Sequence, residues 1–218
     1  MSQKRLVIYD LDGTLVDTGE DIAQAANYML QEMAVPPLSL EKVRQLVGKG
    51  LHDLVQRCLQ TTDEAAIARG LQLFGDYYGH HLVDHSRLYP GVKETLEYFQ
   101  ARSQAVVTNK PQPFAGDLLI QLDIAGYFRE IVAVGGGYPK KPDPTAIRSL
   151  MGREGIRDQE TLFIGDSLID IETGRNAGVL TVIVTHGFAD YHEVVAAQPD
   201  ALVGNFHELL TLAKVRRW

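Results

Sequence analysis

The stretch Leu6-Val7-Ile8-Tyr9-Asp10-Leu11-Asp12-Gly13-Thr14 decides the reading of this chain. Four apolar residues run without a polar interruption and stop at a carboxylate. Two residues later a second carboxylate follows, and then a glycine. A continuous apolar run of this kind is the pattern of a strand covered on both faces. Comparable runs recur at Ala105–Thr108, Ile131–Val134, Leu162–Ile164 and Thr181–Val184, with a weaker one at Ala201–Val203. Helical stretches separate most of them, at Val92–Arg102, Pro113–Leu122, Thr145–Arg153 and Ile169–Ala177. Strand–helix alternation of this type predicts an α/β fold with a Rossmann-like, doubly wound parallel sheet.

One segment departs from the alternation. Between Tyr9 and Val92 no convincing strand occurs. Instead, Ile22, Ala25, Ala26, Met29, Leu30 and Met33 follow helical spacing, as do Leu51, Leu54, Val55, Cys58 and Leu59. A further helix is expected over Glu64–Leu82. The chain therefore divides into a catalytic core of residues 1–17 and 87–218 and an inserted helical domain of residues 18–86, with Leu88-Tyr89-Pro90-Gly91 as the return linker.

Composition limits what such a molecule does. The chain has 218 residues, 45% of them hydrophobic, enough for a sizeable core. Its net charge of -7 argues against a nucleic-acid partner and against docking on an anionic membrane. A single cysteine, Cys58, excludes an internal disulfide framework and a Cys-rich zinc site. No window reaches the length of a transmembrane helix. The basic start Met1-Ser2-Gln3-Lys4-Arg5 precedes an apolar run too short for a signal peptide. A cytoplasmic protein, monomeric or homodimeric, is expected.

In open parallel sheets ligands bind beyond the carboxyl ends of the strands. Here those ends carry Asp10 and Asp12, then Thr108-Asn109-Lys110, then Lys140-Lys141-Pro142, then Gly165-Asp166-Ser167 with Asp170 one turn further. Any one acidic residue can merely start a turn or cap a helix. Taken together, the carboxylates need a hard cation, and an oxygen-only donor set points to Mg²⁺. A lysine and a dication would offset the repulsion between these carboxylates and a phosphate dianion. Thr108, Asn109 and the turn at Asp10–Gly13 offer donors for phosphoryl oxygens. The set suits phosphoryl transfer through a carboxylate nucleophile and a second carboxyl that moves the proton.

Asp10-Leu11-Asp12-Gly13-Thr14 resembles the D-x-D-G-T motif of the haloacid dehalogenase superfamily. Thr108, Lys141 before Pro142, and Gly165-Asp166 with Asp170 resemble its second, third and fourth motifs, so the resemblance spans nearly the whole chain. It implies that Asp10 is the nucleophile and a Mg²⁺ ligand, and that Asp12 is the general acid and base, with its backbone carbonyl on the metal. It further implies phosphate binding by Leu11, Thr108, Asn109 and Lys141, a metal ligand in Asp166, and a supporting role beside the metal for Asp170. The insert resembles the superfamily's C1 cap, which closes over the site.

Asp12 favours phosphate-ester chemistry, because the dehalogenase members lack an acid there. Members resembling β-phosphoglucomutase carry a histidine where this chain has Ile22, which weakens a phosphosugar-mutase reading. A sugar-phosphate phosphatase or a pyrophosphatase is a further alternative. The subgroup most resembled is the phosphoglycolate phosphatases, through Val47-Gly48-Lys49-Gly50, Thr108-Asn109-Lys110, Lys141-Pro142-Asp143-Pro144 and Gly174–Gly178. The loop Gly135–Pro139 departs from that subgroup in being short and lacking an aspartate. The expected substrate is a small phosphorylated metabolite, with Lys49 as its contact in the insert. His80, His81 and His85 are read as surface histidines, Asp17 and Glu20 as the start of the first insert helix, and Arg175 as part of a structural ion pair. Lys214, Arg216 and Arg217 near Trp218 are read as a basic helix end.

Overall fold

The computed structural model describes residues 3–218. In chain order the elements begin with β1 (Leu6–Tyr9) and β2 (Val16–Asp17), then α1 (Gly19–Glu32), α2 (Leu40–Arg44), α3 (Leu51–Leu59) and α4 (Glu64–His80). They continue through β3 (Arg87–Leu88), α5 (Val92–Tyr98), β4 (Ser103–Pro111), α6 (Gln112–Gln121) and β5 (Glu130–Val134). Then come α7 (Thr145–Glu154), β6 (Thr161–Gly165), α8 (Leu168–Ala177), β7 (Leu180–Val184), α9 (Tyr191–Ala196), β8 (Ala201–Val203) and α10 (Phe206–Arg216).

Six strands form one sheet in the order β5-β4-β1-β6-β7-β8, and every pairing in it is parallel. The apolar runs are continuous because both faces are covered. Val7 and Tyr9 join a cluster with Val92, Leu96, Leu118 and Phe206, whereas Leu6 and Ile8 join another with Ile147, Leu150 and Phe163. Successive side chains of a strand point to opposite faces, so one strand feeds two cores. Chain order reverses direction around β1, whose neighbours are β4 and β6. The crevice beyond the carboxyl ends of these three strands is where such sheets bind ligands.

The helices α1 to α4 enclose their own apolar cluster, built from Ile22, Met29, Leu30, Val55, Ile67 and Phe74 among others. The insert's root is not strand-free as its sequence pattern suggests. Val16–Asp17 pairs antiparallel with Arg87–Leu88, a ladder too short to show alternation. Two expected bounds also shift. The helix expected to reach Arg102 ends at Tyr98, and the second core strand runs on to Pro111 with an irregular register after Val107. Trp218, expected in a basic tail, is buried with the core cluster at 4% exposure. Arg175 makes no ion pair among the described residues; its guanidinium donates to the carbonyls of Ala197 and Gln198. Among the described residues no helix is long and apolar enough to cross a membrane.

The two ends of the insert are pinned by Asp21. Its buried carboxylate accepts from the backbone N–H groups of His85 and Ser86, at 3.0 and 2.7 Å, and from the Ser86 hydroxyl at 2.6 Å. His85 Nδ1 lies 3.0 Å from the same carboxylate. His80 and His81 have other partners, the Asp76 carbonyl and the Asp84 carboxylate, so the three histidines do not converge. Removing a group that satisfies several buried donors costs more than one ordinary hydrogen bond. Asp21→Ala is therefore expected to lower unfolding stability by about 3 kcal/mol in urea denaturation.

Candidate active site

Asp10 follows β1 directly, and its backbone N–H donates to the Ile164 carbonyl of β6 at 2.8 Å, which keeps the two strand ends level. Gly13, at φ +80, turns the chain back toward β6, where a Cβ would stand 2.5 Å from Asp166 Oδ2. Only glycine meets both demands. The Thr14 hydroxyl donates to Asp166 Oδ1 at 2.8 Å, and the Phe188 N–H, from the loop after β7, donates to Oδ2 at 2.9 Å.

Asp170 lies in the first turn of α8, in a reciprocal cap with Ser167. Its Oδ2 accepts from the Ser167 hydroxyl at 2.6 Å and from the N–H groups of Ser167 and Asp166 at 3.1 and 3.2 Å. Its Oδ1 faces Lys141 Nζ at 2.7 Å, and the same ammonium lies 2.7 Å from Asp10 Oδ1. Asp10, Asp166 and Asp170 each offer a carboxylate oxygen, and these atoms all lie within 4.8 Å of one another.

Asp10 and Asp170 share the Lys141 ammonium and Asp166 has no ammonium partner among the described residues, so three clustered carboxylates face one positive charge. At such a spacing each like-charge pair costs about 3 kcal/mol at an effective dielectric of 20. Burial, opposed by Lys141 and reinforced by Asp170, pushes the Asp10 carboxyl up to about 7. Burial, then Asp170 and Asp10, hold Asp166 well above the usual carboxylate range. Burial alone would lower Lys141, but Asp10 and Asp170 outweigh it and raise its ammonium above the ordinary lysine range. Oxygen donors, proximity and surplus negative charge all fit a hard dication.

Asp12 stands beside this cluster. Its Oδ1 accepts from the Thr18 hydroxyl at 2.7 Å and from Lys110 Nζ at 2.9 Å. Lys110 Nζ also donates to the Tyr78 hydroxyl at 2.7 Å. Sequence reading passed over the Lys110–Tyr78 pair. Lys110 follows Thr108-Asn109 and was in view, but Tyr78 reads as one more apolar position of α4, and no local pattern joins the two.

The remaining expected residues fall as follows. Leu11 is fully buried, and its backbone N–H helps to lower the Asp10 carboxyl. Thr108 is buried beside the cluster, with its Oγ accepting from the Lys110 N–H at 3.2 Å. The Asn109 side chain is otherwise employed. Its Nδ2 donates to the carbonyls of Gly48 at 2.9 Å and Lys141 at 3.0 Å, and its Oδ1 accepts from the Lys141 N–H at 2.8 Å. Lys49 is exposed, in a loop that comes so near β4 that a Cβ on Gly50 would lie 3.3 Å from the Asn109 carbonyl.

Two cavities open from Asp10 and Asp12. One, of about 510 Å³, is mostly apolar and is lined by Ile22, Leu54, Phe74, Tyr78 and Phe114. The other, of about 1330 Å³ including its mouth, is more polar and is lined by Lys42, Arg44, Lys49, Arg57 and Asp166. Arg44 is held by Asp17 at 2.9 Å and Arg57 lies 3.4 Å from Asp53, whereas Lys42 and Lys49 have no carboxylate partner among the described residues.

A parallel sheet with this order and this rim of carboxylates agrees with a match over residues 7–184 to the family model of haloacid dehalogenase-like hydrolases. The chain belongs to that family. This hydrolase is 39% identical over 216 residues to a phosphoglycolate phosphatase of Pseudomonas putida, an alignment covering 94% of this chain and 78% of that protein. It is 38% identical to a phosphoglycolate phosphatase of Vibrio parahaemolyticus, covering 97% of this chain and 96% of the other. The crystal structure of a predicted phosphoglycolate phosphatase from Haemophilus somnus 129pt superposes with a TM-score of 0.92 at 33% identity, covering 98% of this chain and 99% of that one.

Gly187 gives a test of the site outside every motif. A Cβ there would collide with the Asp166 carboxylate. Displacing a reacting group's partner by a fraction of an ångström to an ångström is expensive in rate. Gly187→Ala is expected to lower hydrolase kcat/KM roughly 100-fold while leaving the far-UV circular dichroism spectrum unchanged.

Proposed function

We propose that this protein is a Mg²⁺-dependent phosphomonoester hydrolase of a small metabolite, with 2-phosphoglycolate as its substrate and glycolate and orthophosphate as products. The observation that carries the reading is the buried cluster of Asp10, Asp166 and Asp170 around Lys141, with Asp12 alongside and two cavities opening from it. The relatives' names supply the substrate. The polar cavity supports it, because the ammonium groups of Lys42 and Lys49 suit a small carboxylate.

In this reading residues 1–17 and 87–218 form the catalytic core and 18–86 the cap, in a cytoplasmic enzyme that is monomeric or homodimeric. Asp10, the backbone carbonyl of Asp12 and Asp166 would hold Mg²⁺, which when bound supplies positive charge beside the phosphoryl oxygens. Asp170, with both oxygens already engaged, holds Lys141 in place. Lys141, Thr108 and backbone N–H groups near Leu11 receive the phosphoryl oxygens. With its side chain committed, Asn109 contributes to phosphate binding through its backbone and by fixing the Lys141 segment.

Asp10 attacks phosphorus and forms an aspartyl-phosphate as the bond to the ester oxygen breaks. Asp12 gives that oxygen its proton. Asp12 then takes a proton from the water that attacks the aspartyl-phosphate, which releases orthophosphate and restores Asp10. Uncatalysed monoester hydrolysis is slow enough that accelerations up to ~10²¹ are required, so nucleophile, acid and cations must act together.

Phosphate release screened over small phosphorylated metabolites tests this reading. It should be greatest with 2-phosphoglycolate, vanish with EDTA and return with excess Mg²⁺. Asp10→Asn should remove turnover and keep the fold; residual activity within about tenfold of wild type would contradict the nucleophile assignment. Lys49→Ala should raise KM for 2-phosphoglycolate about tenfold and leave KM for an aryl phosphate nearly unchanged, while equal changes on both would reject the carboxylate contact.

A further inference from the structure

We infer that Tyr78 and Lys110 are positioning residues that aim the Asp12 carboxyl, so that the helical insert sets the direction of proton delivery. This rests on the reading of Asp12 as the acid that protonates the departing oxygen. Tyr78 belongs to α4 of the insert and Lys110 to the irregular end of β4 in the core sheet. Both are buried, at 1% and 6% exposure.

The contacts form an unbroken line. The Tyr78 hydroxyl accepts from Lys110 Nζ at 2.7 Å, and the same ammonium lies 4.6 Å from the Tyr78 ring centroid. Nζ donates in turn to Asp12 Oδ1 at 2.9 Å. The Thr18 hydroxyl, at the root of α1, donates to the same oxygen at 2.7 Å and does not cap its own helix. Two donors therefore fix Oδ1. Asp12 Oδ2 accepts no hydrogen bond among the described residues, which makes it the oxygen free to carry the proton to the ester.

A lysine has a flexible four-carbon stem, and a single acceptor would leave its ammonium loosely placed. The second acceptor and the ring face remove that freedom. Tyr78 is in turn fixed by aromatic contacts, with Phe74 at 5.3 Å and with Phe114 of the core helix α6 at 5.2 Å between ring centroids. The carboxyl's orientation thus depends on a hydroxyl that reaches it through Lys110.

General acid catalysis matters most when the leaving oxygen is a poor leaving group, and it contributes about 10²- to 10⁴-fold. Phenyl and 4-nitrophenyl phosphate fill nearly the same space but differ in how well their oxygens leave. Lost binding in the apolar cavity therefore largely cancels in the ratio of their kcat/KM values. Tyr78→Phe keeps the ring and its packing. The inference expects this variant to raise the 4-nitrophenyl-to-phenyl ratio tenfold or more over wild type, and Lys110→Met to raise it at least as far. Asp12→Asn is the control and should raise the ratio further still. An unchanged ratio in Tyr78→Phe with a raised ratio in Asp12→Asn would overturn the positioning role alone. An unchanged ratio in Asp12→Asn would overturn the acid assignment and the inference with it. Equal losses on both esters in Tyr78→Phe would mark a purely structural hydroxyl and count against the inference.

Discussion

Like charges held close together in a dry crevice are the constraint on which the rest of this structure depends. Asp10, Asp12, Asp166 and Asp170 gather at the ends of β1 and β6, and among the described residues only Lys110 and Lys141 enter among them as ammonium groups. Isolated buried carboxylates would take up protons and cease to be either ligands or nucleophiles. Each is instead supplied with donors: Lys141 for Asp10, Thr14 and Phe188 for Asp166, Ser167 for Asp170, and Thr18 for Asp12. The parallel sheet is what makes this supply possible, because it brings the loops after β1, β4, β6 and β7 to one rim.

Much of this was legible in the sequence, for a physical reason. Strands covered on both faces must be apolar throughout, so Leu6–Tyr9 and Leu162–Ile164 announce themselves. A polar residue ending such a run stands out for the same reason. The helical insert was legible through the spacing of Ile22, Ala26, Met29 and Leu30, which now line its own cluster. Contacts between distant segments were not legible. Nothing local tells that Tyr78 reaches Lys110, that Phe188 gives its N–H to Asp166, or that the Asn109 amide is spent on Gly48 and Lys141. The β2–β3 ladder escaped notice because two residues carry no period. Trp218 escaped because basic neighbours disguised a residue that packs against the core.

The two halves of the site differ in what holds them. The hydrogen-bond and ion-pair partners of the Asp10, Asp166 and Asp170 carboxylates all come from the core strands and the loops that follow them. The Asp12 carboxylate alone takes its support from the start of the insert, through Thr18, and from a lysine that α4 helps to hold. The Asp10 carboxylate is therefore held from within the core, whereas the setting of the Asp12 carboxylate is completed by α1 and α4 seated on the sheet. The polar groups that make that seating include Asn109 on the Gly48 carbonyl, Lys140 on the Lys49 carbonyl, and Lys110 on the Tyr78 hydroxyl. Each of these is a single polar contact of modest net strength. In the proposed mechanism the insert does more than cover the crevice, because its helices complete the setting of the carboxyl that gives and takes the proton.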